Sequence, residues 1–431
     1  MKIKVSVLLV LLLAIGWYQT AQVVIGTPVR IREHIERAQT FEKKEIYEDA
    51  LEEYKAAVAL GETDGSIRRK VAEMYLQLEE TPSFIASCEA LIYGKQLDEK
   101  ALEMLISYYD ADGKKADAVA LLKELGKTQP ENETVKKLWK QYRGYYEETS
   151  NSYDEVTPYY QGYSIVTYEG RFGLVNAKGE SVIPAAYEAV GFLSGENAVV
   201  PVCEDGAWYY LNTKIHKKIV PDDAYDFLGV ISDDTVLVRK DGKYGFADVN
   251  IAPKTKLQWE DASNLHQGVA AVKSGGKWAL MDDAFDLVTE YVYEDVKRNE
   301  SGFCSNQKRI FAKGKEGYGM WDEEGKRVGE AWFEDARPFE TDELAAVKKD
   351  GKWGFVNTSG ALVIDCQYED ARSFTQGVAA VKKDGAWGYI DASNATVIAP
   401  TFEDAYPFCE SGMAPVKNEY WHFIRLCALA S

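Results

Sequence analysis

Residues 349–356 read Lys-Asp-Gly-Lys-Trp-Gly-Phe-Val, and residues 383–390 read Lys-Asp-Gly-Ala-Trp-Gly-Tyr-Ile. The context repeats as well. Tyr368-Glu369-Asp370-Ala371, Phe374 and Gly377-Val378-Ala379-Ala380-Val381-Lys382 return as Phe402-Glu403-Asp404-Ala405, Phe408 and Gly412-Met413-Ala414-Pro415-Val416-Lys417. Extending the register gives eight ring positions: Phe172, Trp208, Tyr244, Trp278, Tyr318, Trp353, Trp387 and Trp421. Neighbouring rings lie about 34–36 residues apart, except for a wider gap between Trp278 and Tyr318.

Each recurring residue has a backbone reason. Asp-Gly between two β-prone runs predicts a two-residue hairpin, because a type I′ turn needs positive φ at both central residues. It stands at Asp205-Gly206, Asp241-Gly242, Asp350-Gly351 and Asp384-Gly385, with Glu169-Gly170 and Gly275-Gly276 as variants. A second turn follows the ring-bearing strand, as in Asn176-Ala177-Lys178-Gly179 and Asn357-Thr358-Ser359-Gly360. Asn first and Gly fourth suit a type I turn closed by a left-handed residue. Each unit is read as about three short strands. A unit this short cannot bury its own rings, so neighbours must stack. The repeated rings are therefore expected in the core.

The pattern resembles the WG repeat family, named for its Trp-Gly pair. The pair is intact at Trp353-Gly354 and Trp387-Gly388. Phe172-Gly173, Tyr244-Gly245 and Tyr318-Gly319 keep the glycine with another ring; Trp208-Tyr209, Trp278-Ala279 and Trp421-His422 have lost it. The copies near 285–330 have drifted most. The resemblance implies architecture over residues 163–431 and no defined activity. The expected form is a closed, propeller-like ring of about seven units, with an open β-solenoid as the alternative.

Upstream, residues 30–146 are rich in Ala, Leu, Glu and Lys at helical spacing. Phe41, Ala50, Tyr54 and Ala57 match Tyr109, Ala118, Leu122 and Leu125 interval for interval. These hairpins resemble the tetratricopeptide repeat, with a degenerate middle unit containing Ala72, Tyr75 and Ala86. The chain is thus an α + β multidomain protein: helical hairpins, a linker over 147–162 broken by Pro158, then an all-β repeat domain.

Lys2 and Lys4 precede an apolar run from Val5, and 22 residues reach Gly26. A charged start and an apolar stretch of this length read as a signal anchor over 1–26, or as a cleaved signal peptide. The remainder is then extracytoplasmic.

The 431 residues hold 50 Lys and Arg against 69 Asp and Glu, a net charge of −19. Residues 151–431 carry 29 of the basic and 44 of the acidic residues. So acidic a chain is a poor phosphate-backbone binder, and no nucleic-acid partner is expected. Four histidines share no metal-ligand spacing, and six cysteines form no CxxC. No cofactor, metal or catalytic motif is expected. The candidate ligand-binding residues are the recurring acidic pairs Glu260-Asp261, Glu294-Asp295, Glu334-Asp335, Glu369-Asp370 and Glu403-Asp404. They would form an acidic belt, or else cap turns. The sequence thus points to a non-enzymatic, membrane-anchored scaffold binding a protein, peptide or envelope polymer. The alternatives are a purely structural spacer, or an enzyme whose site lies in the drifted middle repeats.

Overall fold

In the computed structural model, which describes residues 26–194 and 198–429, the chain divides into two compact units, 1–139 and 140–431. The expected anchor over residues 1–26 lies, apart from Gly26, outside the described residues. Among those described, no helix is long and apolar enough to cross a membrane.

Among the described residues seven helices precede the strands: α1 (Thr27–Glu42), α2 (Tyr47–Ala59), α3 (Gly65–Gln77), α4 (Thr81–Ile92), α5 (Glu99–Ala111), α6 (Lys115–Thr128) and α7 (Glu133–Tyr142). The small and aromatic residues set their packing. Ala50, Tyr54 and Ala57 of α2 are buried, as are Ala118, Leu122 and Leu125 of α6. The middle hairpin departs from the expected pattern. Ala86 is exposed, and Phe84 and Cys88 fill the interior instead. On α4 these two residues lie four apart and so share one face. Asp98 accepts the Ala101 N–H at 3.1 Å and caps α5.

The second unit is a β-propeller of eight blades, not about seven, and not an open solenoid. Blade 1 is β2 (Glu155–Val156), β3 (Tyr163–Tyr168), β4 (Arg171–Asn176) and β5 (Ser181–Tyr187). Blade 2 is β6–β9 (residues 189–219); blade 3, β10–β12 (227–248); blade 4, β13–β15 (261–282). Blade 5 is β16–β19 (295–333); blade 6, β20–β23 (335–368); blade 7, β24–β27 (370–402). Blade 8 is β28 (Asp404–Ala405), β29 (Met413–Lys417) and β30 (Trp421–Leu426), completed by β1 (Tyr146–Glu148). Most blades have four strands rather than three, because the residues before each hairpin add a two-residue first strand.

Closure comes from residues read as linker. β1 pairs antiparallel with β30, matching Tyr146 to Leu426 and Glu148 to Ile424. β2 opens blade 1, so 147–162 belongs to the propeller. The ring has one apolar cluster at each blade boundary. The last joins Val156, Val166 and Val175 of blade 1 to Met413, Trp421 and Phe423 of blade 8.

The turn chemistry follows the sequence. Asp350 and Gly351 have φ of 53° and 74°, and Asp384 and Gly385 of 53° and 81°. In the second turn the first residue's carbonyl or carboxyl oxygen accepts two N–H groups: Asn357 Oδ1 takes those of Ser359 and Ala361. Asp391 Oδ1 does the same for Ser393 and Ala395.

The Trp-Gly pair has a packing cause. The fourth strand bulges as it crosses the third, and its backbone presses on the glycine. A Cβ on Gly354 would lie 2.5 Å from the Ile364 carbonyl oxygen, and one on Gly388 2.6 Å from that of Ile398. The glycine does not follow the strand count: blades 3 and 4 both have three-stranded sheets, yet blade 3 keeps Gly245 and blade 4 has Ala279.

Candidate functional site

The ring positions lie where a core requires. Trp278, Tyr318, Trp353, Trp387 and Trp421 are buried, whereas Phe172, Trp208 and Tyr244 are half-buried. In blades 6 and 7 a guanidinium covers the ring. Arg337 lies 4.8 Å from the Trp353 centroid, and Arg372 5.1 Å from that of Trp387.

The acidic pairs split their work. Glu260, Glu334 and Glu369 accept N–H groups of the hairpin glycines in their own blades, at 2.9–3.1 Å from Gly275, Gly351 and Gly385. Glu294 pairs with Lys277 at 3.6 Å, and Glu403 is exposed. Asp261, Asp335, Asp370 and Asp404 join blades: they pair with Arg298, Lys297, Arg337 and Arg372 at 2.8–3.0 Å. Asp295 accepts the Tyr318 hydroxyl at 2.6 Å. Burial opposes the charge on Lys297, yet Asp335 and Tyr318 hold its pKa above the ordinary value.

A cavity of about 1000 Å³ opens where the loops after the first strands converge. Of the ten acidic-pair residues, only Asp335 lines it. Its walls come instead from one repeat position that sequence reasoning passed over. In blades 7, 6 and 8 this is the residue after the repeated Phe: Thr375 after Phe374, Glu340 after Phe339 and Cys409 after Phe408. The same register gives Tyr160, Ser194, Ser232, His266 and Asn306 in blades 1–5. The backbone marks the position. Tyr160, Ser194, Ser232, His266 and Thr375 each form a bridge to the residue that opens the next strand, and Asn306 bridges Arg309, one residue before it. Six of the eight line the cavity: Tyr160, His266, Asn306, Glu340, Thr375 and Cys409. The ring positions repeat; this one varies, with Ser in blades 2 and 3 and a different residue in each of the others. The signal was present in the sequence, as a varied column in register with the repeated rings.

Blade 5 supplies the other unrepeated part. Its first two strands are joined by residues 297–309, against 372–377 in blade 7, which accounts for the wide gap between Trp278 and Tyr318. The extra segment is tied to blade 4: Asn264 N–H donates to the Gly302 carbonyl at 2.9 Å, and Asn264 Nδ2 to that of Ser301 at 2.7 Å. Phe303 then reaches across the ring. It stacks on His266 at 4.2 Å, meets Tyr160 of blade 1 at 5.4 Å, and joins the cluster of Phe192 and Val230.

The mouth is electrostatically uneven. Glu340 is partly exposed yet surrounded by protein on the cavity wall, and accepts a long bond from Asn299 Nδ2 at 3.5 Å. Burial raises its pKa to about 7, Asn299 opposing and the Glu300 charge adding. Burial lowers the His266 pKa, against Asp233 and a bond to Asn306, so the imidazole is neutral at pH 7. Its Nδ1 lies 3.0 Å from Ser232 Oγ. Among the described residues no group of His, Cys, Asp and Glu could hold a metal ion.

The model of the WG containing repeat matches residues 172–208, 254–278, 318–353, 353–385 and 387–420, all within the propeller. No curated protein matches the chain. Solved structures that are similar include a eukaryotic initiation factor, at 10% identity and TM-score 0.44, covering 66% of this chain and 88% of that one. The dihydro-heme d1 dehydrogenase NirN gives 12% and 0.40, covering 63% and 70%. Hsv2 of Kluyveromyces marxianus gives 12% and 0.36, covering 61% and 93%. At these identities and scores they say nothing of what this protein binds.

Proposed function

We propose that the protein is a non-enzymatic recognition scaffold, held at the outer face of a membrane by residues 1–26. Its helical hairpins resemble the tetratricopeptide repeat, and its propeller takes a protein, peptide or envelope polymer at the cavity mouth. The observation that carries this reading is the contrast between repeat positions. An aromatic ring recurs in every blade to hold the scaffold, while the position that lines the mouth in six blades varies over Tyr, His, Asn, Glu, Thr and Cys. A varied polar column on a repeated ring scaffold fits a surface shaped for one ligand. The anchor rests on the lysines and apolar run of the N-terminus alone. A pull-down from envelope extract with the full chain tests the reading, compared with Thr341→Trp, which places an indole over the mouth from an exposed cavity-lining position. Loss of a specific partner from the variant is expected. Equal capture by both chains would remove the mouth from the reading.

One observation favours an enzyme in the middle blades. Ser232 Oγ meets the neutral His266 imidazole, which also bonds Asn306, an arrangement in which the imidazole would act as base. Ser232 does not line the cavity, which weighs against it. Covalent labelling by a fluorophosphonate that is abolished by Ser232→Ala would favour this enzyme over the scaffold.

A further inference from the structure

We infer that the cavity takes a neutral, hydroxyl-rich ligand, a saccharide, held by the Gln267 and Gln376 side chains at the mouth and the Ser301 hydroxyl in the wall. The inference rests on the recognition reading above and gives its ligand a chemical class.

The first observation is a contrast between two sets of turns with one backbone demand. Away from the cavity, the two-residue turns after the second strands are Asp-Gly in four blades, with φ of 51–53° at Asp205, Asp241, Asp350 and Asp384. At the cavity end, the turns before the second strands are Gln161-Gly162, Gln267-Gly268, Gln307-Lys308 and Gln376-Gly377, with φ of 48–53° at the glutamine. Asp, Asn or Gly meets such a demand best. The longer glutamine side chain gains nothing from it, so the turn alone does not explain why glutamine recurs at one end only. All four glutamines line the cavity.

Their turns are held in place by neighbouring blades. Asp342 accepts the N–H groups of Gln376 at 3.1 Å and Gly377 at 2.6 Å, and Asp233 accepts that of Gly268 at 2.9 Å. Gln307 Nε2 is spent on the Thr341 carbonyl at 2.8 Å, and Gln161 Nε2 on the Tyr160 hydroxyl at 3.2 Å. The carboxamides of Gln267 and Gln376, on blades 4 and 7, have no partner among the described residues.

The second observation is Ser301, which lines the cavity and is only 7% exposed. Its backbone is committed: the N–H donates to Asn299 Oδ1 at 3.1 Å, and the carbonyl accepts from Asn264 at 2.7 Å. Its hydroxyl has no partner among the described residues. A hydroxyl with so little access to water and no bond is costly, and a ligand that both donates and accepts would satisfy it.

The charges leave this ligand neutral. Lys297, Arg298, Arg337 and Arg372 line the cavity, but each pairs with a carboxylate of a neighbouring blade, so none is left for an anion. Glu300 and Glu410 at the rim are exposed, and water screens them. The groups left over are carboxamides and a hydroxyl, which donate and accept alike. They approach from different blades, which suits hydroxyls spread around a sugar ring better than the single row of a peptide backbone. The half-buried Tyr160 offers apolar surface to the C–H face of such a ring.

Two sources carry this chemistry, a free sugar and the chain of a polysaccharide. Calorimetric titration of the full chain with the monomers and the β-1,4-linked tetramers of glucose and of N-acetylglucosamine separates them. Acetyl-tetraalanine amide and acetyl-trilysine amide serve as peptide and cationic controls. Binding of at least one saccharide is expected, about tenfold weaker in Ser301→Ala and in the double variant Gln267→Asn, Gln376→Asn. Asparagine suits the positive φ and keeps the carboxamide but withdraws it by one methylene, so the unfolding midpoint of the double variant should not fall. A tetramer bound more tightly than its monomer assigns a polysaccharide; equal affinities assign a free sugar. The inference is overturned if no saccharide binds more tightly than tetraalanine amide, or if both variants bind like the parent. Either peptide bound by the parent but not by Thr341→Trp would leave the mouth as a recognition site and discard the saccharide alone. No probe bound, together with equal capture of an envelope partner by the parent and Thr341→Trp, would discard both.

Discussion

Blades 7 and 5 share a hairpin, a ring position and a packed fourth strand, yet the loop after the first strand is tied to the scaffold in one and reaches away from it in the other. In blade 7 the loop after the first strand is short. Arg372 on it lies between the rings of Trp387 and Tyr406 and pairs with Asp404 of blade 8. Every polar group named there serves the blade or its neighbour. In blade 5 the corresponding loop is longer, sends Phe303 across the ring and leaves Glu300 without a cation. The difference shows how a repeat protein acquires a single site. The stacking chemistry is kept, and one connection is released from it.

The largest test of this contrast concerns the ring that both blades need. A chain beginning at Tyr163 lacks β1 and β2, so blade 8 loses its fourth strand and blade 1 its first. Loss of the cooperative thermal transition is expected by near-ultraviolet circular dichroism, with soluble aggregates on size exclusion. A monomeric chain with an unchanged transition would show that closure contributes nothing. Next is Trp353→Ala in blade 6. It removes a buried indole and the surface on which Arg337 lies, at an expected cost of about 3–5 kcal/mol by denaturant titration. Retention of stability with loss of binding alone would move this ring from the scaffold to the site.

The smallest effect sits at the mouth. Glu340 has its folded pKa raised to about 7, above the ordinary carboxylate value. The folded state therefore binds the proton more tightly than the unfolded chain, and stability falls as pH rises between the two values. Glu340→Gln removes that loss. It should be more stable than the parent at pH 8 and indistinguishable from it near pH 4, read as the midpoint of chemical unfolding. A difference of the same size at both pH values would assign the effect to packing rather than to charge.

What the sequence disclosed divides along the same line. Residues that recur announced themselves: the Asp-Gly turns, the Asn-headed second turns and the ring positions all lie where the register places them. The acidic pairs recurred too, and for that reason drew attention as a possible belt; nine of the ten lie away from the cavity, in turns and between blades. The eighth blade was hidden because its last strand comes from Tyr146–Glu148, three residues with no alternation to mark a strand. The mouth was hidden because Thr375, Glu340, Cys409 and His266 have nothing in common except their offset from the core residue before them. The wide interval before Tyr318 was visible in the sequence, but its reading as drift obscured the segment that carries Glu300 and Phe303.

The pairing of Glu148 with Ile424 also sets a timetable. At about 5–20 residues per second of synthesis, roughly 15–55 s separate the appearance of these two partners. Seven blades can stack in order as they emerge, each on the one before. The eighth cannot be completed until the end of the chain arrives, and over that interval the outer face of blade 1 and the lone first strand have no partner. The ring thus has a slow, last step built into its order of strands, and it is at this step that a folding helper, or a second copy of the chain offering the same strand, would compete.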